Sequence, residues 1–144
     1  MGKGLTRREA EYLKAIFDLL SKKGSVGSLD IANNLGISCA TASETLKKLS
    51  EKGMIVRESW KGARLTDLGF KEISRIIRNH RVFETYAYRF LSVSLDEACE
   101  CAHRIELYLS DKIVDSMCKI LGHPSKCPHN KDIPKGVLCC VGEK

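Results

Sequence analysis

Between residues 28 and 53 the chain sets out two short apolar-faced segments separated by a glycine turn, and directly afterwards its hydrophobic period changes from 3.6 to 2. That order narrows the folds open to it. Leu29, Ile31, Ala32 and Leu35 give the first segment an apolar face ending at Gly36, with Ser28 as its predicted cap. Ser38 is predicted to cap a second helix from about Cys39 to Lys52, with Ala42, Leu46 and Leu49 turned inward and Gly53 as its stop. Helix, glycine-containing turn, helix is the helix-turn-helix arrangement, whose second member enters the major groove of DNA. Beyond it, Met54 and Val56, then Ala63 and Leu65 across Trp60-Lys61-Gly62, read as a short hairpin, and a hairpin in that place is a wing.

The flanking segments are helical. Thr6 and Glu9 make a capping box ahead of Ala10, Leu13, Ile16, Phe17 and Leu20, up to Gly24. Thr66 caps a long helix from Asp67 to about Leu91, carried by Leu68, Phe70, Ile73, Ile76, Ile77, Val82, Phe83, Tyr86 and Phe90. Ser94 with Glu97 is a second capping box, predicting a helix from about Leu95 to Leu109, and Ser110 starts another that runs to Gly122. The tail, residues 123–144, holds all three prolines and is expected to be irregular. The fold expected is mainly α: a winged helix-turn-helix over residues 1–72, then a helical domain over residues 73–144.

A chain of 144 residues buries one modest core or two small lobes, which argues against an enzyme with a large cleft. No apolar run approaches the roughly 18 residues of a membrane span. The first residues carry charge without a following apolar stretch, so a cytoplasmic protein with no membrane partner is expected. The net charge of +6 suits a polyanionic partner. Seven cysteines, an odd number without a secretion signal, favour free thiols or metal thiolates over a disulfide framework; all but Cys39 fall in the second half.

On the predicted recognition helix, Ser38 stands at the start, and Ala40, Thr41 and Glu44 are the candidates for base readout. Thr41 can bond a base or pack its methyl on thymine, Ala40 offers apolar contact, and Glu44 can accept from a cytosine amino group. Lys47, Lys48, Lys52, Arg57, Lys61 and Arg7 or Arg8 can neutralise phosphates. Taken singly such lysines are more often an ordinary solvated helix face; the order of elements favours DNA.

His80 and Glu84 are four residues apart on one helix face, and Cys99, His103 and Glu106 line one face of the next helix. Together, with Glu11 as a further carboxylate, they can close on one or two divalent ions. Imidazole and carboxylate suit manganese, ferrous iron or zinc, and a thiolate moves the preference toward zinc or iron. Each of these residues alone is more often a surface polar group or a small buried thiol.

The stretch from His80 through Ser110-Asp111, continuing into Leu121-Gly122-His123-Pro124-Ser125-Lys126-Cys127-Pro128-His129 and Ile133-Pro134, resembles the diphtheria toxin repressor and manganese transport regulator family of metal-dependent transcriptional repressors. The segments 11–17 and 38–53 share in it, so it covers nearly the whole chain. The resemblance implies a winged helix-turn-helix domain followed by a helical metal-binding and dimerisation domain. It further implies a homodimer that binds a palindromic operator on double-stranded DNA when loaded with ferrous iron or manganese. The chain ends where longer members add a small C-terminal barrel, so the short, manganese-regulator layout is expected. Carried over by position, the metal ligands are Glu11, His80, Glu84, Cys99, His103 and Glu106. Two positions depart from the pattern: Leu107 stands where the family usually has histidine, and His103 where it usually has Cys or Glu.

A second metal or cluster site in the tail is drawn from Cys101, Cys127, His129, Cys139 and Cys140, with Cys118 nearby, although no C-x-x-C pair is present. Two other readings compete with the metal-sensing repressor. One is a winged-helix regulator that senses redox state or an iron-sulfur cluster through its cysteines. The other is a small zinc hydrolase using His103 and Glu106, for which no substrate cleft or oxyanion donor is evident.

Overall fold

The structure is a computed structural model that describes residues 4–59 and 62–140. Its elements run α1 (Arg7–Lys23), α2 (Ser28–Leu35), α3 (Cys39–Glu51), β1 (Ile55–Glu58), β2 (Gly62–Leu65), α4 (Asp67–Phe90), α5 (Leu95–Ile105) and α6 (Asp111–Ile120). The chain divides into two units, residues 1–73 and 74–144, with α4 passing through the boundary.

In the first unit α1 begins at the predicted capping box: the Thr6 hydroxyl accepts from the Glu9 amide and the Glu9 carboxylate accepts from the Thr6 amide. It stops where Gly24 turns left-handed. α2 is capped one residue earlier than predicted, by Gly27, whose amide donates to the Asp30 carboxylate at 2.9 Å. Ser38 caps α3 as expected. Ala10, Leu13, Ile16, Val26, Ile31, Ala42, Leu46, Leu49 and Ile55 form the core, none more than 2% exposed.

The wing is an antiparallel pair in which Ile55 faces Leu65 and Arg57 faces Ala63. Its inward residue on β1 is Ile55, while Val56 is exposed, so the predicted Met54–Val56 phase is corrected by one residue. Three consecutive apolar residues leave that phase open to local reading, and Val26 bridges Ala63 at the edge of β2 away from β1. Trp60 and Lys61, the predicted wing tip, lie outside the described residues. Gly69 allows the start of α4 to cross the chain at Met54, since a Cβ there would run into the Met54 carbonyl.

In the second unit Ser94 and Glu97 form the predicted capping box of α5. This helix ends at Ile105, not near Leu109: Glu106 is its cap and residues 106–108 are a turn. Val82, Val114, Met117, Cys118, Leu121, Cys127 and Ile133 make the core of this unit. The tail is ordered into that core, with Lys126 bridged to Asp132 and the Ile133 amide donating to the Ser125 carbonyl at 2.9 Å.

Candidate metal centre and DNA-facing surface

One turn separates His80 from Glu84 on α4; α5 brings Cys99 to the Nε2 side of His80 and its cap, Glu106, to the Nδ1 side. Glu84 and Glu106 are 1% and 0% exposed. A buried carboxylate is costly unless it is bonded and its charge balanced. His80 stands between the two, its Nδ1 2.7 Å from Glu106 Oε2 and its Nε2 3.1 Å from Glu84 Oε2. Cys99 Sγ lies 3.5 Å from the same Nε2. Burial pushes the Glu84 carboxyl up, but the bonds from His129 and Cys99 and the neighbouring imidazoles outweigh it and leave the group below its ordinary value. The Cys99 thiol is pushed up, by burial first and then by Glu84, so it becomes a thiolate ligand only when a cation takes its proton's place.

The tail completes this pocket. His129 Nδ1 is 2.9 Å from Glu84 Oε1, and Glu84, Cys127 and His129 place ligand atoms within 4.8 Å of one another, as do His80, Glu84 and Cys99. Glu84 is shared by both sets. His103 is at the margin, half exposed, with Nδ1 3.8 Å from Glu106 Oε1. Glu11 is an exposed residue of α1 in the other unit.

The five residues assigned to one tail site do not gather as one group. Cys127 and His129 lie with Glu84, Cys139 and Cys140 lie with Cys118 and His123, and Cys101 is exposed. In the sequence His123 stands only within the Leu-Gly-His-Pro string and carries no ligand assignment. Its spacing, five residues after Cys118 and past a helix-ending glycine, is the signal that was available.

In the first unit Ala40, Glu44, Lys47 and Lys48 are exposed on α3, and Thr41 is half-buried beside Ser38, whose hydroxyl donates to Thr41 Oγ1 at 2.8 Å. Lys48 and Glu44 are 3.5 Å apart with both side chains largely in solvent, a pair that contributes little to stability. Arg57 Nη2 is 3.5 Å from the hydroxyls of Ser28 and Ser43, which ties the wing to the helix pair. Arg7 is partly exposed at the start of α1. Lys52, grouped by sequence with the phosphate contacts, is engaged within the unit, 2.7 Å from Glu9 Oε2 and 3.3 Å from the Gly4 carbonyl.

Residues 4–63 match the family model of the iron dependent repressor N-terminal DNA binding domain, and residues 66–135 match that of its metal binding and dimerisation domain. The transcriptional regulator MntR of Escherichia coli O157:H7 is 31% identical over 112 residues, covering 76% of this chain and 72% of that protein. The chain belongs to the iron-dependent repressor family. The diphtheria toxin repressor of Corynebacterium diphtheriae is 25% identical over 123 residues, 85% of this chain and 54% of that one. The solved manganese regulator SloR matches with a TM-score of 0.76 at 30% identity, over 91% of this chain and 61% of its own.

As an iron-dependent repressor the chain is a metal-dependent transcriptional regulator, mostly helical, with a DNA-binding N-terminal domain and a helical C-terminal domain. The family binds divalent metals and consists of transcriptional repressors, which are not enzymes. The redox or iron-sulfur sensor is not favoured by these matches. No helix among the described residues is long and apolar enough to cross a membrane.

Proposed function

We propose that this chain is a repressor switched by ferrous iron or manganese, binding a palindromic operator as a homodimer in the cytoplasm. One observation carries the reading: two fully buried carboxylates, Glu84 and Glu106, converge with His80 and Cys99 in the unit whose family model is a metal-binding one. Nitrogen and oxygen donors suit manganese and ferrous iron, and Cys99 tips the set toward iron, with zinc as the competitor. His129 adds an imidazole at Glu84.

The bound ion would supply the positive charge that two buried carboxylates call for. His80 orients both of them, and Glu106, at the cap of α5, ties that helix to α4 through His80. Glu11, in the DNA-binding unit, is assigned to the same switch by the family resemblance, which makes ion binding and operator binding a coupled pair of equilibria. Ser38, Ala40, Thr41 and Glu44 would read bases, and Arg7, Lys47, Lys48, Arg57 and Lys61 would meet phosphates.

Pairing of two copies is supported by large apolar side chains left in solvent on the second unit. Phe90 and Leu91 at the end of α4, Ile113 and Ile120 seven residues apart on α6, and Tyr108 between α5 and α6 are all more than half exposed. Paired recognition helices bind half-sites at fixed turns of the duplex, so only one spacing binds tightly.

The test is a gel-shift titration on DNA selected from a random pool with metal-loaded protein, at fixed salt, in manganese, ferrous iron, zinc and chelator. Tight binding in iron or manganese and weak binding in chelator is expected; equal affinity in all four rejects the switch.

A further inference from the structure

The thiols that the Glu84 pocket leaves aside meet elsewhere in the second unit. Cys118 lies on α6, His123 just past its end, and Cys139 and Cys140 in the turn at residues 137–140. His123 Nδ1 is 3.5 Å from Cys118 Sγ, 3.5 Å from Cys139 Sγ and 3.7 Å from Cys140 Sγ, and the sulfurs of Cys118 and Cys140 are 3.9 Å apart. All four ligand atoms fall within 4.8 Å of one another.

A tetrahedral zinc ion, with bonds of about 2.3 Å to sulfur and about 2.05 Å to nitrogen, sets its ligands about 3.8 Å apart for two sulfurs and about 3.6 Å apart for sulfur and nitrogen. The four separations given match such a cage, and the two remaining sulfur pairs lie within 4.8 Å. We propose that Cys118, His123, Cys139 and Cys140 form a structural Cys3His zinc site that fastens the end of the tail to α6. Binding replaces three thiol protons by one divalent ion, leaving the cage with one net negative charge.

The surroundings answer that charge. Arg78, almost fully buried, has Nη1 3.8 Å from Cys118 Sγ and is fixed by Asp115 at 2.9 Å and by the Pro134 carbonyl at 3.2 Å. This is the cation and N–H donor that orient thiolate ligands from behind. Gly136 brings the chain flat over the guanidinium; a Cβ there would lie 2.7 Å from Arg78 Nη2. Small buried cysteines need no imidazole at their centre, and this group has one with all three sulfurs around it. A cavity of about 260 Å³, lined in part by Arg78, His123, Ser125 and Cys140, borders the cage. The four ligands and Arg78 are separate from the Glu84 set, so this site stands whether or not that pocket is the switch.

Full-length wild-type protein, Glu84→Gln and Cys140→Ser are each loaded with zinc chloride, dialysed against a mild chelator and analysed for metal. One zinc per chain retained in the first two and lost in Cys140→Ser is expected. No retained zinc in wild type, or undiminished zinc in Cys140→Ser, overturns the site. Because Cys140→Ser can unfold the tail, alkylation of the wild-type protein is mapped by mass spectrometry with and without a strong chelator. Protection of Cys118, Cys139 and Cys140 that the chelator removes, with the exposed Cys39 and Cys101 reactive throughout, supports the site. Protection removed only by a reductant shows a disulfide, and visible absorbance with acid-labile sulfide shows a cluster; either overturns it. Loss of the operator response in Glu84→Gln with zinc retained shows that the two sites fail separately.

Discussion

The two units bury different things. In the first, the interior is a run of apolar side chains from α1, α2, α3 and β1, and its buried carboxylate, Glu9, is answered within the unit by Lys52. In the second, Arg78, Asn79, Glu84, Thr85 and Glu106 all lie inside with the apolar residues. Apolar burial stabilises a fold under any solution condition that keeps water out, whereas buried charge stabilises it only while each charge has a partner. The first unit therefore rests mainly on apolar packing, and the second also on charges that need their partners.

Substitutions that break one side of that contrast should show it most strongly. Arg78→Met leaves Asp115 and the cysteine cage without their buried cation, and a cost of about 3–5 kcal/mol is expected, confined in native-state hydrogen exchange to residues of the second unit. Leu13→Ala empties a fully buried site among apolar neighbours and should cost about 2–5 kcal/mol in the first unit, with ion affinity of the second unchanged. Loss of protection in the same unit for both variants would erase the distinction.

Metal sharpens the comparison at a smaller scale. Ferrous iron or manganese at about 100 times its dissociation constant should stabilise the second unit by about 2.7 kcal/mol, and Glu84→Gln should remove that gain. Equal stabilisation of the variant would place the ion elsewhere.

The smallest expected effect is acidification of the first unit. Burial raises the Glu9 carboxyl, but the bonds from Lys52 and the Thr6 amide bring it below its ordinary value overall. A carboxyl depressed in the folded state contributes stability that is fully present above its unfolded pKa and is lost as pH falls through the folded one. Lys52→Met should flatten that acid limb by roughly 1 kcal/mol or less, as urea midpoints across the acidic range would record.

Much of the fold was legible in the sequence because its signals are local. Thr6 with Glu9, Ser94 with Glu97, and the left-handed glycines at 24, 36 and 122 bond or turn within a few residues, so pattern and structure agree there. The same holds for His80 and Glu84, joined by one helical turn. Leu107 and Leu109 continue an apolar pattern past the cap of α5, so the sequence predicts a longer helix than forms. The tail was the least legible region. Its path is set by Arg78 reaching the Pro134 carbonyl and Arg81 reaching that of Asp132, contacts more than fifty residues apart in sequence. Those bonds send Cys127 and His129 to Glu84 and leave Cys139 and Cys140 to Cys118 and His123, a division no spacing rule carries.

In the proposed switch an ion held by His80, Glu84 and Cys99, with Glu106 behind the His80 ring, governs the grip on DNA. Fluorescence anisotropy of a labelled selected operator, at one salt concentration, measures it directly with wild type and Glu84→Gln in ferrous iron and in chelator. Wild type should bind roughly 5–150-fold more tightly with iron, and the variant should bind alike in both. Wild-type affinity that is the same in iron, in manganese and in chelator would show that no such ion sets DNA binding.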